Sequence, residues 1–177
     1  MQPGADQVRL AIGVFDEPEN LCGALLSLAD DGFQPEQFCL VARAATLVGF
    51  DRLTILGRLA EDRRQYLARL RDRIASWPTS SVAGTADEHG IVATSSPVLS
   101  FLLQAPVAGG RSTAGLPAEP VIEIEAQAIR GAIVLVIRAM TPAQQRRSTR
   151  TLLDTSLHSV KTYDFTIPAS PHPAAGQ

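Results

Sequence analysis

The chain has 177 residues, 45% of them hydrophobic, and a formal net charge of −2. That is apolar material for one core of ordinary size and sets one domain as the expectation. The near-neutral balance excludes a global field favouring nucleic acid or an anionic membrane, and no run reaches the ~18–20 apolar residues of a membrane span.

Residues 8–15, VRLAIGVF, alternate as a strand does. Val8, Leu10, Ile12 and Val14 point one way, and Arg9, Ala11, Gly13 and Phe15 the other. Ala11 and Gly13 leave room for something to lie close on the second face. Asp16 fits a helix N-cap, with Glu19 completing a capping-box-like pair. The acids at 16–19 are therefore read as capping and dipole partners rather than a cation site. Leu21, Cys22, Leu25, Leu28 and Ala29 recur at helical spacing. Gly32 followed by Phe33 reads as a Schellman ending. QFCLVAR, 37–43, predicts a second strand and completes a βαβ unit.

Charge is unevenly distributed. Residues 1–51 carry two Arg against eight acids, and residues 52–73 seven Arg against three acids. Lys161 is the only lysine. The second stretch opens the longest helical pattern, 52–77. Positions 53, 56, 60, 63, 67, 70, 74 and 77 alternate steps of three and four, and only Arg63 interrupts their apolar seam. Such a stripe suits a helical hairpin or a short coiled coil. Pro78 ends it. Arg58, Arg63, Arg64, Tyr66, Arg69, Arg73 and Trp77 form its candidate interaction surface. The alternative for these arginines is a solvated helix face balanced by the acidic first unit, and no aromatic residues interleave as a nucleic-acid stacking platform requires.

Residues 79–116 are rich in Gly, Ala, Ser, Thr and Pro and read as connection, with SSPVLSFLLQ as a short apolar helix within them. Residues 117–130 permit a strand or a helix ended by Gly131, and helix is the preferred reading. GAIVLVIRA, 131–139, is apolar on both faces until Arg138, so it predicts a central strand covered on both sides. The 52–77 helix or a second subunit is the expected cover for the side away from helices 17–31 and 142–160. Thr141, Pro142 and Gln144 supply N-cap, N1 and capping-box partner for a helix running to about Val160. KTYDFTI, 161–167, reads as the last strand, and the Pro- and Ala-rich end as a disordered tail.

This order predicts an α+β fold. It is a ferredoxin-like βαβ-βαβ antiparallel sheet with helices on one face and a helical insertion, about 47–116, between the halves. The single domain is expected over 1–168 and the tail over 169–177.

The pieces IGVFDEPENLCGALLSLADDGF, SSPVLSFLLQAPVAGG and AGLPAEPVIEIEAQAIRGAIVLVIRA, with the helix from Thr141, resemble the small α/β bacterial general-stress (heat-induced stress) proteins over about half the chain. The resemblance implies a small α/β fold and a middle segment often taken as membrane-associated. An Arg-rich helix stands here in place of that apolar middle. The family offers no catalytic residues, so none are carried over.

Few residues carry chemistry of their own. No G-x-G-x-x-G follows the first strand. GGRSTAG, 109–115, has a phosphate-loop spacing, but Leu116 and Pro117 stand where Lys and Ser/Thr are needed. His89 beside Asp87 and Glu88 matches no metal spacing, and His172 lies in the tail. His158 is expected to pair with Asp154 across one helical turn. Cys22 and Cys39 are read as buried thiols of a reducing compartment. No catalytic set, cofactor or metal is expected. The sequence points to a non-enzymatic, cytoplasmic interaction or structural protein, self-associating or docking through its insertion. Its expected partner is another copy or another protein, without nucleic acid or a membrane span, although peripheral membrane contact fits. The alternative is a small-ligand sensor with a pocket near Ala11 and Gly13.

Overall fold

A computed structural model describes residues 6–46, 61–76, 79–81, 91–95 and 118–167. Six strands form one antiparallel sheet. They are β1 (Asp6–Phe15), β2 (Phe38–Arg43), β3 (Thr79–Ser81), β4 (Ile91–Ser95), β5 (Ile133–Ala139) and β6 (Lys161–Ile167). Their order across the sheet is β3-β4-β2-β5-β1-β6. The long described helices are α1 (Pro18–Asp30), α2 (Glu61–Ser76), α3 (Ala118–Ile129) and α4 (Pro142–Thr155).

β5 is central because its sequence leaves it no polar face. Ile133, Leu135 and Ile137 join the core under α1, while Val134 and Val136 join the core on the other side. β1 pairs with it from Arg9↔Ala139 to Phe15↔Ile133, and β2 from Phe38↔Ile137 to Val41↔Val134. On β1 the expected alternation holds. Ala11 and Phe15 belong to the first core, and Val8, Leu10, Ile12 and Val14 to the second.

Two layers of helix cover the sheet. On the first face α1 buries Leu21, Leu25 and Leu28, α4 buries Leu152, and α2 adds Leu67 and Leu70. On the second face α3 buries Ile124 and Ala128. It lies over β2 and β5 and reaches β4. The expected cover for the second face is thus corrected: it is helix 118–129, whereas the arginine helix packs beside α1. The reason is in the side chains. α3 has an apolar stripe through Val121, Ile124 and Ala128 that can lie on a sheet. The described part of α2 presents only Tyr66, Leu67 and Leu70 inward.

The stretch 47–116 is not wholly helical. Beside α2 it supplies β3 and β4, and β4 pairs with β2 from Cys39↔Ser95 to Arg43↔Ile91. These residues were expected to be connection. IVATS is rich in β-branched residues, and β2 otherwise has an open edge, so pairing satisfies a row of backbone groups. Of the expected helix over 95–104, Ser95 belongs to β4 and the rest lies outside the described residues, as do residues 52–60 of the long helical pattern and the tail.

The helix ends follow from local chemistry. α1 begins one residue later than expected. Pro18 takes N1, where a fixed φ and a missing N–H are no handicap, so Glu17 becomes the N-cap and makes no side-chain cap. The predicted Asp16–Glu19 box does not form. Gly32 has φ +83°, and the Phe33 and Gly32 N–H groups donate to Leu28 and Ala29 O at 3.0 and 2.9 Å. Gly131, at φ +96°, ends α3 in the same way. At α4 the Thr141 hydroxyl accepts from Gln144 N at 3.1 Å, but the Gln144 side chain accepts from Met140 N rather than from the cap residue. α4 stops at Thr155, short of Val160. Ser156 turns extended, its N–H still donating to Leu152 O, and its hydroxyl donates to Val14 O at 2.6 Å.

Candidate functional site

The first place to look is the face behind Ala11 and Gly13. It is full. A Cβ built on Gly13 would stand 2.7 Å from Leu152 Cδ2, so the small residue admits α4 rather than a ligand. The pocket expected there is corrected on that ground.

The arginine helix is the second place. Arg63, the break in the seam, reaches α1 and pairs with Asp30 at 3.0 Å. Arg64 pairs with Glu61 on its own helix. Arg69 Nε donates to Gln65 O at 3.3 Å. Tyr66 packs on the first core with its hydroxyl buried and without a hydrogen-bond partner. Burial first, and then the nearby Asp30 carboxylate, raise its pKa. Leu67 and Leu70 are 5% and 1% exposed, so this part of the heptad seam packs within the chain itself. Arg73 lies on α2 with only its backbone described. Arg58 and Trp77 lie outside the described residues, as do His89, His172 and the 109–115 loop.

The structure brings together residues that the sequence did not. His158 has left the helix, and its Nε2 lies 2.7 Å from Asp16 Oδ2, not beside Asp154. The tie joins the β1–α1 corner to the approach of β6. Both side chains are more than a third exposed, so the pair contributes at most about 1 kcal/mol. Cys22 and Cys39 are free, buried and on opposite faces of the sheet. Burial pushes both thiols up to about 12, with Glu19 adding to the rise at Cys22. Neither has the thiolate character of a nucleophile. Among the described residues no group of three or more His, Cys, Asp or Glu is placed to hold a metal, and no helix is long and apolar enough to cross a membrane.

The second face carries a groove between α3 and β6, with about 290 Å³ of empty space open to solvent. Its floor is Ile12, Val14 and Val134. One wall is α3, with Pro120, Glu123, Ile124 and Gln127. Ser159, Lys161 and Tyr163 form the other. It exists because α3 sits over β2 and β5 while the sheet continues through β1 to β6. Across it Lys161 Nζ meets the Glu123 carboxylate, with 46% and 36% of the two side chains exposed. Glu125, further along α3, has its pKa raised by burial. An apolar floor with few convergent polar groups at the rim is how small-molecule sites are built. Sequence reasoning named neither Glu123 nor Lys161 as a site residue. Their pairing needs α3 and β6 on one face, and the sequence left 117–130 open between helix and strand. The one available signal was that Lys161 is the sole lysine.

No family model matches the chain, and no curated protein and no solved structure is significantly similar to it.

Proposed function

We propose that this chain is a non-enzymatic, ferredoxin-like binding protein whose working site is the groove beside α3. Two observations support the architecture: the four strands of the βαβ halves lie in the order β2-β5-β1-β6, and each pairing is antiparallel. The groove itself carries the functional reading. It combines an apolar floor with an ion pair at the rim, while the central seam of the arginine helix is occupied inside the fold. A thermal-shift screen of small metabolites tests it, with Ser159→Trp as the variant that plugs the mouth. At least one ligand class should raise Tm of the native chain and not of Ser159→Trp. A screen in which every stabilising compound acts equally on both overturns the reading.

A second reading is a cytoplasmic, stress-related interaction protein that self-associates or docks on a partner with the help of its 47–116 insertion. Charge on the first helical layer favours it. Acidic α1 lies between α2 and α4, and Arg146, Arg147 and Arg150 of α4 are exposed, with no ion pair among the described residues. Leu153 beside them is 60% exposed. Light scattering at rising concentration and rising salt tests this reading. Salt-sensitive association lost in Arg146→Glu/Arg150→Glu supports it, and a monomer under all conditions that recruits no partner overturns it.

A further inference from the structure

The two edges of the sheet are finished differently. β3, at one edge, is three residues long, and so short a strand offers little for another chain to pair with. β6, at the other, is seven residues long and pairs with β1 at every position from Asp6↔Ile167 to Ile12↔Lys161. Among the described residues no strand lies along its outer edge. The devices that blunt such an edge are missing. The ladder with β1 has no bulge, residues 161–167 contain no proline, and Thr162, Tyr163, Phe165 and Thr166 are good strand formers. Both charges of the strand are turned into the chain. Lys161 meets Glu123 on the second face, and the Asp164 carboxylate accepts from Gln145 Nε2 at 2.9 Å on the first. The sequence that follows, PASPHPAAGQ, has proline at 168, 171 and 173, and a ladder partner needs the N–H groups that proline lacks.

The strand is complementary to a reversed copy of itself. A two-fold axis normal to the sheet makes the pairing antiparallel and keeps each helical layer on its own side, so even positions oppose even ones and odd oppose odd. Full overlap of 161–167 sets Asp164 against the second copy's Asp164. A slip of two residues in either direction removes that repulsion. With Tyr163 on the axis, Thr162 opposes the second copy's Asp164; with Phe165 on the axis, Thr166 opposes it. Either way a threonine hydroxyl donates to a carboxylate twice on the first face and an aromatic pair forms on the second, both stabilising kinds of cross-strand pair. Tyr163 and Phe165 are only half-buried in the single chain, so they have area left to cover. α4 adds to the patch. Gln145 reaches β6, and Leu153 continues its row two turns on, so this leucine, 60% exposed, lies on the flank of α4 towards the edge. We infer that two copies of this chain join β6 to antiparallel β6 in one continuous sheet, a pairing that rests on the self-association of the second reading and gives it the sheet edge as its surface.

Light scattering and amide hydrogen exchange of the full chain, at rising protein concentration, are the test. A dimer should form, and the alternate amides of 161–167 that face away from β1 should become protected with it. Thr162→Asp/Thr166→Asp puts an aspartate opposite Asp164 in either register and should weaken the dimer at least about tenfold, with urea unfolding checking that the fold survives. Adding Asp164→Lys to that variant turns repulsion into attraction and should restore the dimer, which a misfolded chain could not do. Arg146→Glu/Arg150→Glu should leave it intact. A dimer that ignores the β6 substitutions but is lost with the α4 arginines overturns the edge assignment and keeps the second reading. A monomer at every concentration overturns the edge pairing and the self-association it rests on, whether its outer β6 amides exchange freely or are protected by another segment of the same chain.

Discussion

The two faces of the sheet are covered differently, and the difference decides where function can sit. On the first face three helices bear on one sheet, Leu21, Leu25 and Leu28 are fully buried, and even the gap at Gly13 is filled by Leu152. On the second, α3 is the described helix that lies over β2 and β5; the β1 residues of that face are still buried, and it is β6 that is left partly exposed. A sheet is a large flat surface, and one helix about 10 Å wide shields roughly two strands. Dense cover gives stability and leaves no room. Sparse cover gives a groove, at the cost of apolar contact. The two charged groups that meet across the open side could not be accommodated on the closed one.

The contrast can be broken most severely at the closed face. Leu152→Ala should cost about 2–5 kcal/mol in urea unfolding, because a close-packed site relaxes poorly. Removal of a buried aliphatic from α3, Ile124→Ala, should fall at the low end of that range, since its cavity merges with the groove. Gly13→Val comes next, at about 1–3 kcal/mol for overpacking. In the Leu152→Ala background that penalty should shrink, and a double-mutant cycle measures the coupling. Additive costs would show that the two residues do not meet. The helix starts give a smaller effect of either sign. Thr141→Ala loses the α4 cap and about 1 kcal/mol, while Glu17→Ser should add a cap that α1 lacks and gain several tenths of a kcal/mol. The smallest effect belongs to the open face. Burial raises the Glu125 pKa in the fold, so the charged form is penalised there. That penalty is absent below the unfolded carboxylate pKa and complete once the pH exceeds the folded value. Glu125→Gln should therefore be slightly stabilising at neutral pH, with the gain fading in acid.

Element order was legible where periodicity and caps agreed. The strand 161–167, the Gly32 ending of α1 and the two-faced apolarity of β5 all follow from spacing alone. Failures occurred where a tertiary partner decided the outcome. Asp16 looks like a cap because Asp is a good one, yet Pro18 moves the helix start and frees the carboxylate for His158, which lies 142 residues away. Residues 91–95 look like connection because their neighbours are Gly- and Ser-rich, yet the open edge of β2 selects them as a strand. The small residues on β1 were read as room for a ligand, and a leucine of the chain's own occupies that room. The groove was invisible for a related reason. It is defined by the gap between α3 and β6, two elements whose spacing no residue pattern encodes.

The central place of β5 has a consequence for how the chain comes to be folded. β1 and β2 arrive first from the ribosome but are not neighbours; residues 133–139 lie between them. β2 can take β4 on one edge beforehand, but its other edge, and β1, must wait for residues 133–139 before the two parts of the sheet can join. Closure then joins segments about 90–130 residues apart, which places assembly among the slow, high-contact-order reactions. The same interleaving means that a chain cut between its halves holds, in the C-terminal piece, both strands that flank β1 and the one that joins it to β2, so the two pieces are built to find each other.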